Sequence, residues 1–302
     1  MKYGYIGLGN LGKHLAASLR RAGFEVVVND LDRDAAKSLL EAGCTWAASP
    51  RELAAQVDCV ITCLPSPAAS NTVLTGPDGV LQGLRRGGTW IEMSTTDERE
   101  IKRIAALAAD QGISTLECPV TGGVHLAAQG KITVLVGGEQ AVFDAHRPAL
   151  AAMGGQIFYM GELGKASVIK VITNMLAFIH LVACGEALML AKRGGLDLAQ
   201  AFHAIQASSG TSFVHETEGQ LVLNGSYDIN FTMDLACKDL GFAYEYGRKF
   251  GVPLELAGLT EQIFRRGRSQ YGSEAQSTQI VKLLEDALGT DLRAPGFPSK
   301  LS

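Results

Sequence analysis

The stretch Tyr3–Asp30, YGYIGLGNLGKHLAASLRRAGFEVVVND, decides the fold. An apolar run ends at Gly7, the chain passes through Gly9 and Gly12, an alanine- and leucine-bearing segment follows, and a β-branched run closes at Asp30. Three glycines at this spacing are weak by themselves. Their meaning comes from the strand before them, the helical stretch after them and the second strand with its acidic end.

Each glycine has a separate physical task in such a unit. Gly7 permits the tight turn, Gly9 lets the backbone approach a pyrophosphate, and Gly12 lets the helix lie close to the sheet. Unpaired N–H groups at the helix start then face phosphate charge. The segment predicts a dinucleotide site made from Gly7, Leu8, Gly9, Asn10, Leu11 and Gly12, with Asn29 and Asp30 at the ribose. A carboxylate at Asp30 accepts ribose hydroxyls and repels a 2′-phosphate, which favours NAD and leaves NADP as the alternative because Arg33 follows closely.

Outward from this stretch, short β-branched runs alternate with alanine-rich segments as far as Val136. Such alternation builds a mostly parallel sheet. Strands are expected at 3–7, 25–29, 59–64, 89–92, 115–118 and 131–137. After Gly164 long apolar periodic segments replace them, at 165–193, 198–207 and 235–250, with stops at Gly194, Gly195 and Gly251. The expected fold is an α/β amino-terminal Rossmann-type dinucleotide-binding domain (1–163) followed by an all-α carboxy-terminal domain for substrate and oligomerisation (164–302), joined by a long interdomain helix. The tail from Ala294, with its prolines and glycine, is expected to lack regular structure.

Composition narrows the function classes. The formal net charge of −4 leaves no basic excess for a nucleic-acid backbone. Six scattered cysteines without a CxxC pair suit reduced thiols in a cytoplasm better than disulfides or a metal site, so no metal is expected. No secretory leader is read at the start. The most apolar stretch, Val168–Leu190, carries Lys170, Asn174, His180 and Glu186, so it is read as a buried helix and no membrane partner is expected.

Beyond the glycine motif come ITCLPSP with Leu64 and Pro65, EMSTTDE with Thr95, ECPVTGG at Glu117–Gly123, and two lysine segments, GELGKASVIKVITNML and FTMDLACKDLGFA. In order and spacing they resemble the β-hydroxyacid dehydrogenases, the family of 3-hydroxyisobutyrate dehydrogenase, over almost the whole chain. The resemblance implies that Leu64, Pro65 and Thr95 lie beside the cofactor. The residues alone leave other readings open, since Pro65 can end a strand and Thr95 can cap a helix. It implies that Thr121, Gly122 and Gly123 bind substrate, although the family usually has aspartate and serine where this chain has Glu117 and Thr121. His125 is left outside the expected site.

Lys170 falls on the family's catalytic lysine, and Asn174, four residues on, shares its helix face. The family often has a second asparagine where Thr173 stands here. Oxidation of an alcohol removes a hydroxyl proton as hydride leaves carbon, and reduction returns it, so one amine serves both directions. An ordinary lysine titrates near ~10.4, so the basic role calls for burial or a nearby positive ring. By the same resemblance, the second segment implies Phe231 and Lys238 at the substrate, with Lys238 also near the cofactor and Asp239 orienting it; the residues alone leave Phe231 as core filling and Asp239 as an ordinary surface ion pair.

The resemblance implies an NAD(P)-dependent dehydrogenase of a small anionic hydroxy acid or its semialdehyde, such as 3-hydroxyisobutyrate, glycerate with tartronate semialdehyde, or serine. An imine or other carbonyl reductase on the same fold is the alternative. Against it, no tyrosine stands four residues before a lysine, and imine-reducing relatives usually lack the lysine. A non-catalytic dinucleotide-binding interaction module is the reading from another class. The apolar second half implies a homodimer or homotetramer.

Overall fold

The protein is described by a computed structural model covering residues 1–301 of 302. Nine strands form one sheet: β1 (Lys2–Ile6), β2 (Glu25–Asn29), β3 (Thr45–Trp46), β4 (Cys59–Thr62), β5 (Thr89–Glu92), β6 (Ser114–Glu117), β7 (Val120–Thr121), β8 (Ile132–Gly138) and β9 (Gly154–Gly161). Their order is β3-β2-β1-β4-β5-β6-β8-β7, with β9 paired to β8. All pairs from β3 to β6 are parallel, whereas β8 runs antiparallel to β6 and β7.

The parallel strands read as unbroken apolar runs because both faces are covered. Alternate residues leave the sheet on opposite sides. Tyr3, Tyr5, Val26, Val28, Cys59, Ile61 and Ile91 pack in one core with Leu15, Ala16 and Leu19 of the helix Gly12–Arg21. Ile6, Val27, Val60 and Trp90 pack in another core with Ile101, Ile104 and Ala108 of the helix Glu98–Asp110. The sheet is therefore the middle of three layers.

The strand order reverses between β1 and β4, which makes the gap beyond their carboxyl ends the place where such sheets receive ligands. The loops meet there: the Cys63 N–H donates to the Ile6 carbonyl at 2.9 Å. The six expected strands are present, with Glu25–Asn29 and Thr89–Glu92 at the expected bounds. β3, β7 and β9 were not expected. Two of them are only two residues long, and β9, GGQIFYMG, has glycines where a strand signal looks for β-branched residues.

The long helix Lys165–Arg193 starts and ends as read from sequence, and Gly195 (φ +81°) and Gly251 (φ +69°) terminate helices in the left-handed conformation. By length and composition the long helix could cross a membrane. Its residues Phe178, Leu181, Cys184, Leu188 and Met189 instead belong to the core of the helical unit, with Met233 and Leu240 of the helix Met233–Phe250 and Phe264 of the helix Glu255–Tyr271. The helix Glu255–Tyr271 was not singled out because Gly258 and Gly267 weaken its pattern. Gly267 serves close packing, since a Cβ there would lie 2.5 Å from the Ile280 side chain.

The chain separates into two compact units, Met1–Lys170 and Val171–Ser302. The division falls within the long helix. Among the described residues, 292–301 have no helix or strand, yet the segment is held in place. The Leu292 N–H donates to Glu285 at 2.7 Å, the Ala294 N–H donates to the Leu223 carbonyl at 3.0 Å, and Phe297 packs edge-on to Phe202 at 4.9 Å.

Candidate active site

The amino-terminal site begins with the glycines. Gly7 has φ +96°, and a Cβ on it would lie 2.2 Å from the Cys63 carbonyl oxygen. A Cβ on Gly12 would lie 1.9 Å from the Gly7 carbonyl oxygen, so the first turn of the helix sits directly on the loop. A Cβ on Gly9 meets nothing within 4 Å. Gly7 and Gly12 are thus required by the protein itself, while Gly9 faces open space. That is the geometry of a backbone left bare for an approaching phosphate. An open groove of about 620 Å³ adjoins it, lined among others by Leu8, Gly9, Asn10, Lys13 and Lys37. A dinucleotide fits these residues.

Asp30 fixes this loop. Its Oδ2 accepts the Leu8 N–H at 2.5 Å and its Oδ1 accepts the Asp32 N–H at 2.9 Å. Asn29 is buried and donates its amide to the Ala47 carbonyl at 2.9 Å, which makes it a tie between β2 and the chain after β3. The Arg33 guanidinium lies over the Trp46 ring at 5.9 Å.

On the other side of the strand reversal, Leu64 and Pro65 follow β4, and Ser66 caps the helix Pro67–Thr75 by accepting the Ala69 N–H. The Leu64 N–H donates to Ser94 Oγ at 2.7 Å, and Ser94 donates from both its N–H and its hydroxyl to Glu92 Oε1. Burial pushes the Glu92 carboxyl up, and the Ser94 bonds oppose that shift. Glu92 and Ser94 had not been singled out. Asp97 caps the next helix, accepting the N–H groups of Arg99 and Glu100.

Thr121 ends β7, and the next two glycines have φ +122° and +92°, a conformation that suits glycine. His125 leans over Gly123, with ring atoms 3.1 Å from where a Cβ would stand, and burial pushes its imidazole pKa down. Glu117, four residues before Thr121, is buried against the start of the long helix. Its carboxylate accepts the N–H groups of Gly164, Ala166 and Ser167 and the Ser167 hydroxyl. Burial raises its pKa while those bonds pull the other way.

Lys170 and Asn174 are both buried on the long helix, one turn apart. In the helical unit, Asn174 Nδ2 donates to Asp239 Oδ2 at 2.6 Å, and Lys238 Nζ pairs with Asp239 Oδ1 at 2.8 Å. Lys238 also lies over the Phe242 ring at 5.2 Å. Phe231 packs at 5.9 Å from Phe178 of the long helix. Asp239 therefore brings two of the expected substrate residues, Asn174 and Lys238, to one carboxylate.

A doubly covered parallel sheet with a bare glycine loop at its strand reversal defines a dinucleotide-binding protein. Residues 2–161 match the model of the NAD binding domain of 6-phosphogluconate dehydrogenase, and residues 164–284 match that of the NAD-binding region of NADP-dependent 3-hydroxyisobutyrate dehydrogenase. The chain is 31% identical to 2-(hydroxymethyl)glutarate dehydrogenase of Eubacterium barkeri over 293 residues, 97% of each chain. It is 32% identical to mitochondrial 3-hydroxyisobutyrate dehydrogenase of Mus musculus, covering 94% of this chain and 87% of that one. A solved structure of 3-hydroxyisobutyrate dehydrogenase from Salmonella typhimurium superposes with a TM-score of 0.87 at 30% identity, covering 94% of this chain and 99% of that one. The chain belongs to the β-hydroxyacid dehydrogenase family. It is an NAD(P)-dependent oxidoreductase of hydroxy acids.

Proposed function

We propose that the protein oxidises a short anionic β-hydroxy acid to its semialdehyde, or runs the reverse reaction, with Lys170 as the proton-transfer group. The observation that carries this reading is a buried lysine on the long, largely apolar helix, with a buried amide side chain one turn on. A buried lysine amine carries a desolvation cost unless it is paired or neutral, and a neutral amine is what proton abstraction requires.

When bound, the dinucleotide supplies the hydride acceptor. In the oxidation, the neutral Lys170 amine takes the hydroxyl proton as the C–H bond breaks, leaving a carbonyl and an ammonium. In the reduction, the ammonium returns that proton to the forming alkoxide. Asn174 holds the reacting oxygen near the amine. Thr121 and the N–H groups of Gly122 and Gly123 receive the carboxylate, and Lys238 adds positive charge. Phe231 walls the substrate. Gly7 to Gly12, Asp30, Leu64, Pro65 and Thr95 hold the dinucleotide, and Asp30 disfavours a 2′-phosphate, so NAD is the preferred cofactor.

Exposed Phe250, Val252, Leu256 and Leu259, close together in the chain, support self-association of the helical unit. Sedimentation at micromolar concentration tests it, and a monomer alone would reject it.

An initial-rate screen of 3-hydroxyisobutyrate, glycerate, serine and related acids, with NAD and NADP in parallel, tests the enzymatic reading. Turnover is expected with one or more of these acids and higher kcat/KM with NAD. Turnover confined to neutral alcohols would reject the anion-binding assignment.

A further inference from the structure

We propose that Glu117 is a positioning residue that fixes the first turn of the long helix, and with it Lys170, relative to the Thr121–Gly123 segment. The inference rests on the proton-transfer role proposed for Lys170.

The start of a helix leaves N–H groups without intrahelical partners, and a nearby Ser, Thr, Asp or Asn usually accepts them. Here the acceptor comes from another part of the chain. Glu117, at the end of β6 and 1% exposed, lies 47 to 50 residues before its partners. Its Oε1 accepts from the Gly164 N–H at 2.5 Å and the Ala166 N–H at 2.9 Å. Its Oε2 accepts from the Ser167 N–H at 3.0 Å and from the Ser167 hydroxyl. A carboxylate has roughly four lone-pair directions, so the donors saturate it. The positive end of the helix dipole further favours its charge.

The neighbouring strand is shaped around this group. Gly137 of β8 is the register partner of Glu117, and a Cβ on Gly137 would lie 2.3 Å from Glu117 Oε1. Any larger residue there would push the carboxylate away from the helix.

Lys170 follows Ser167 by three residues, which places it about 4.5 Å further along the same helix and on a neighbouring face position. Thr121 follows Glu117 by four residues in a short β segment. One side chain thus sets the distance between the proposed carboxylate-binding turn and the proposed proton-transfer amine. A displacement of about 1 Å at such a centre costs on the order of a hundredfold in rate.

The test compares full-length wild type, Glu117→Gln, Glu117→Asp, Ser167→Ala and Lys170→Ala by steady-state kinetics and by hydrogen–deuterium exchange of the peptide at 162–170. Gln keeps the size but turns a donor toward the helix amides. Glu117→Gln is expected to lower kcat about ten- to a hundredfold with KM for NAD unchanged, and to speed exchange at 164–167 at least tenfold. Glu117→Asp, which keeps the charge, is expected to recover at least tenfold of a hundredfold loss. If Glu117→Gln does not fold, Ser167→Ala, which removes one hydroxyl donor, is expected to lower kcat severalfold with the same unchanged KM.

Wild-type kcat in Glu117→Gln, or wild-type exchange at 164–167, would overturn the proposal; for an unfolded Glu117→Gln, wild-type kcat in Ser167→Ala does so. A fully active Lys170→Ala with a loosened helix start would instead reject the role of the lysine. An inactive Lys170→Ala beside an active Glu117→Gln rejects the positioning role alone.

Discussion

Asn174 donates its side-chain amide to Asp239 at 2.6 Å, and the other oxygen of the same carboxylate pairs with Lys238 at 2.8 Å. Asp239 is 1% exposed, so its charge relies on these two partners rather than on water. Asp239→Asn keeps an acceptor for Asn174 and removes the negative charge facing Lys238. It is expected to lower kcat/KM for the hydroxy acid about tenfold or more while the Kd for NAD stays within twofold, measured by initial rates and fluorescence titration. Equal losses in both would place the pair in the general fold rather than at the substrate.

Lys170→Ala removes the proposed proton-transfer amine. Such groups contribute roughly 10²- to 10⁴-fold, so kcat is expected to fall by at least a hundredfold with cofactor binding retained. Retention of more than about a tenth of wild-type turnover would reject the role.

The glycines separate by what surrounds them. Gly9→Ala adds a methyl where nothing lies within 4 Å, so Tm is expected to stay within about 2 °C while NAD affinity drops tenfold or more. Gly12→Ala forces a methyl to within 1.9 Å of the Gly7 carbonyl oxygen and is expected to lower both Tm and affinity. Calorimetric titration and thermal melts of the two variants decide it. Normal NAD binding by Gly9→Ala would mean that the phosphate does not approach there.

His146 carries a pH signature. Buried beneath Tyr3, whose hydroxyl lies 3.1 Å from its Nδ1, it has a pKa lowered from 6.5 to about 4 by desolvation. Between these values the unfolded chain binds the proton and the folded chain does not. Stability is therefore full above about 6.5 and falls as pH drops toward 4, by up to about 3 kcal/mol from this residue. His146→Phe should flatten that part of the profile in denaturant titrations at pH 7 and 4.5. An acid slope identical to wild type would remove His146 from the account.

The parts of the molecule legible in the sequence were those imposed by local backbone demands. Gly7 and Gly12 are glycine because a carbonyl oxygen occupies the place of a Cβ, and that demand shows up as a fixed spacing. EVVVN and CVIT read as strands because both faces are buried. What stayed hidden depends on partners remote in the chain. Glu117 looked like a variant first residue of a substrate motif, while its bonds go to residues 164–167. Ser94 looked like part of a threonine-bearing loop, while it bridges Leu64 to Glu92. β9 and the helix Glu255–Tyr271 escaped because glycines interrupt both patterns and only tertiary packing makes use of them.

The docked carboxyl tail sets an order of events during synthesis. Glu285 receives the Leu292 N–H and the Arg293 guanidinium, and Phe297 covers Phe202. The helical unit cannot finish its interior until those residues have left the ribosomal tunnel. The sheet-bearing unit has every one of its strands by Gly161 and is free to fold much earlier. Completion of the helical unit thus waits on residues 292–297, and removing them is expected to stall assembly of the half that carries Asn174 and Lys238.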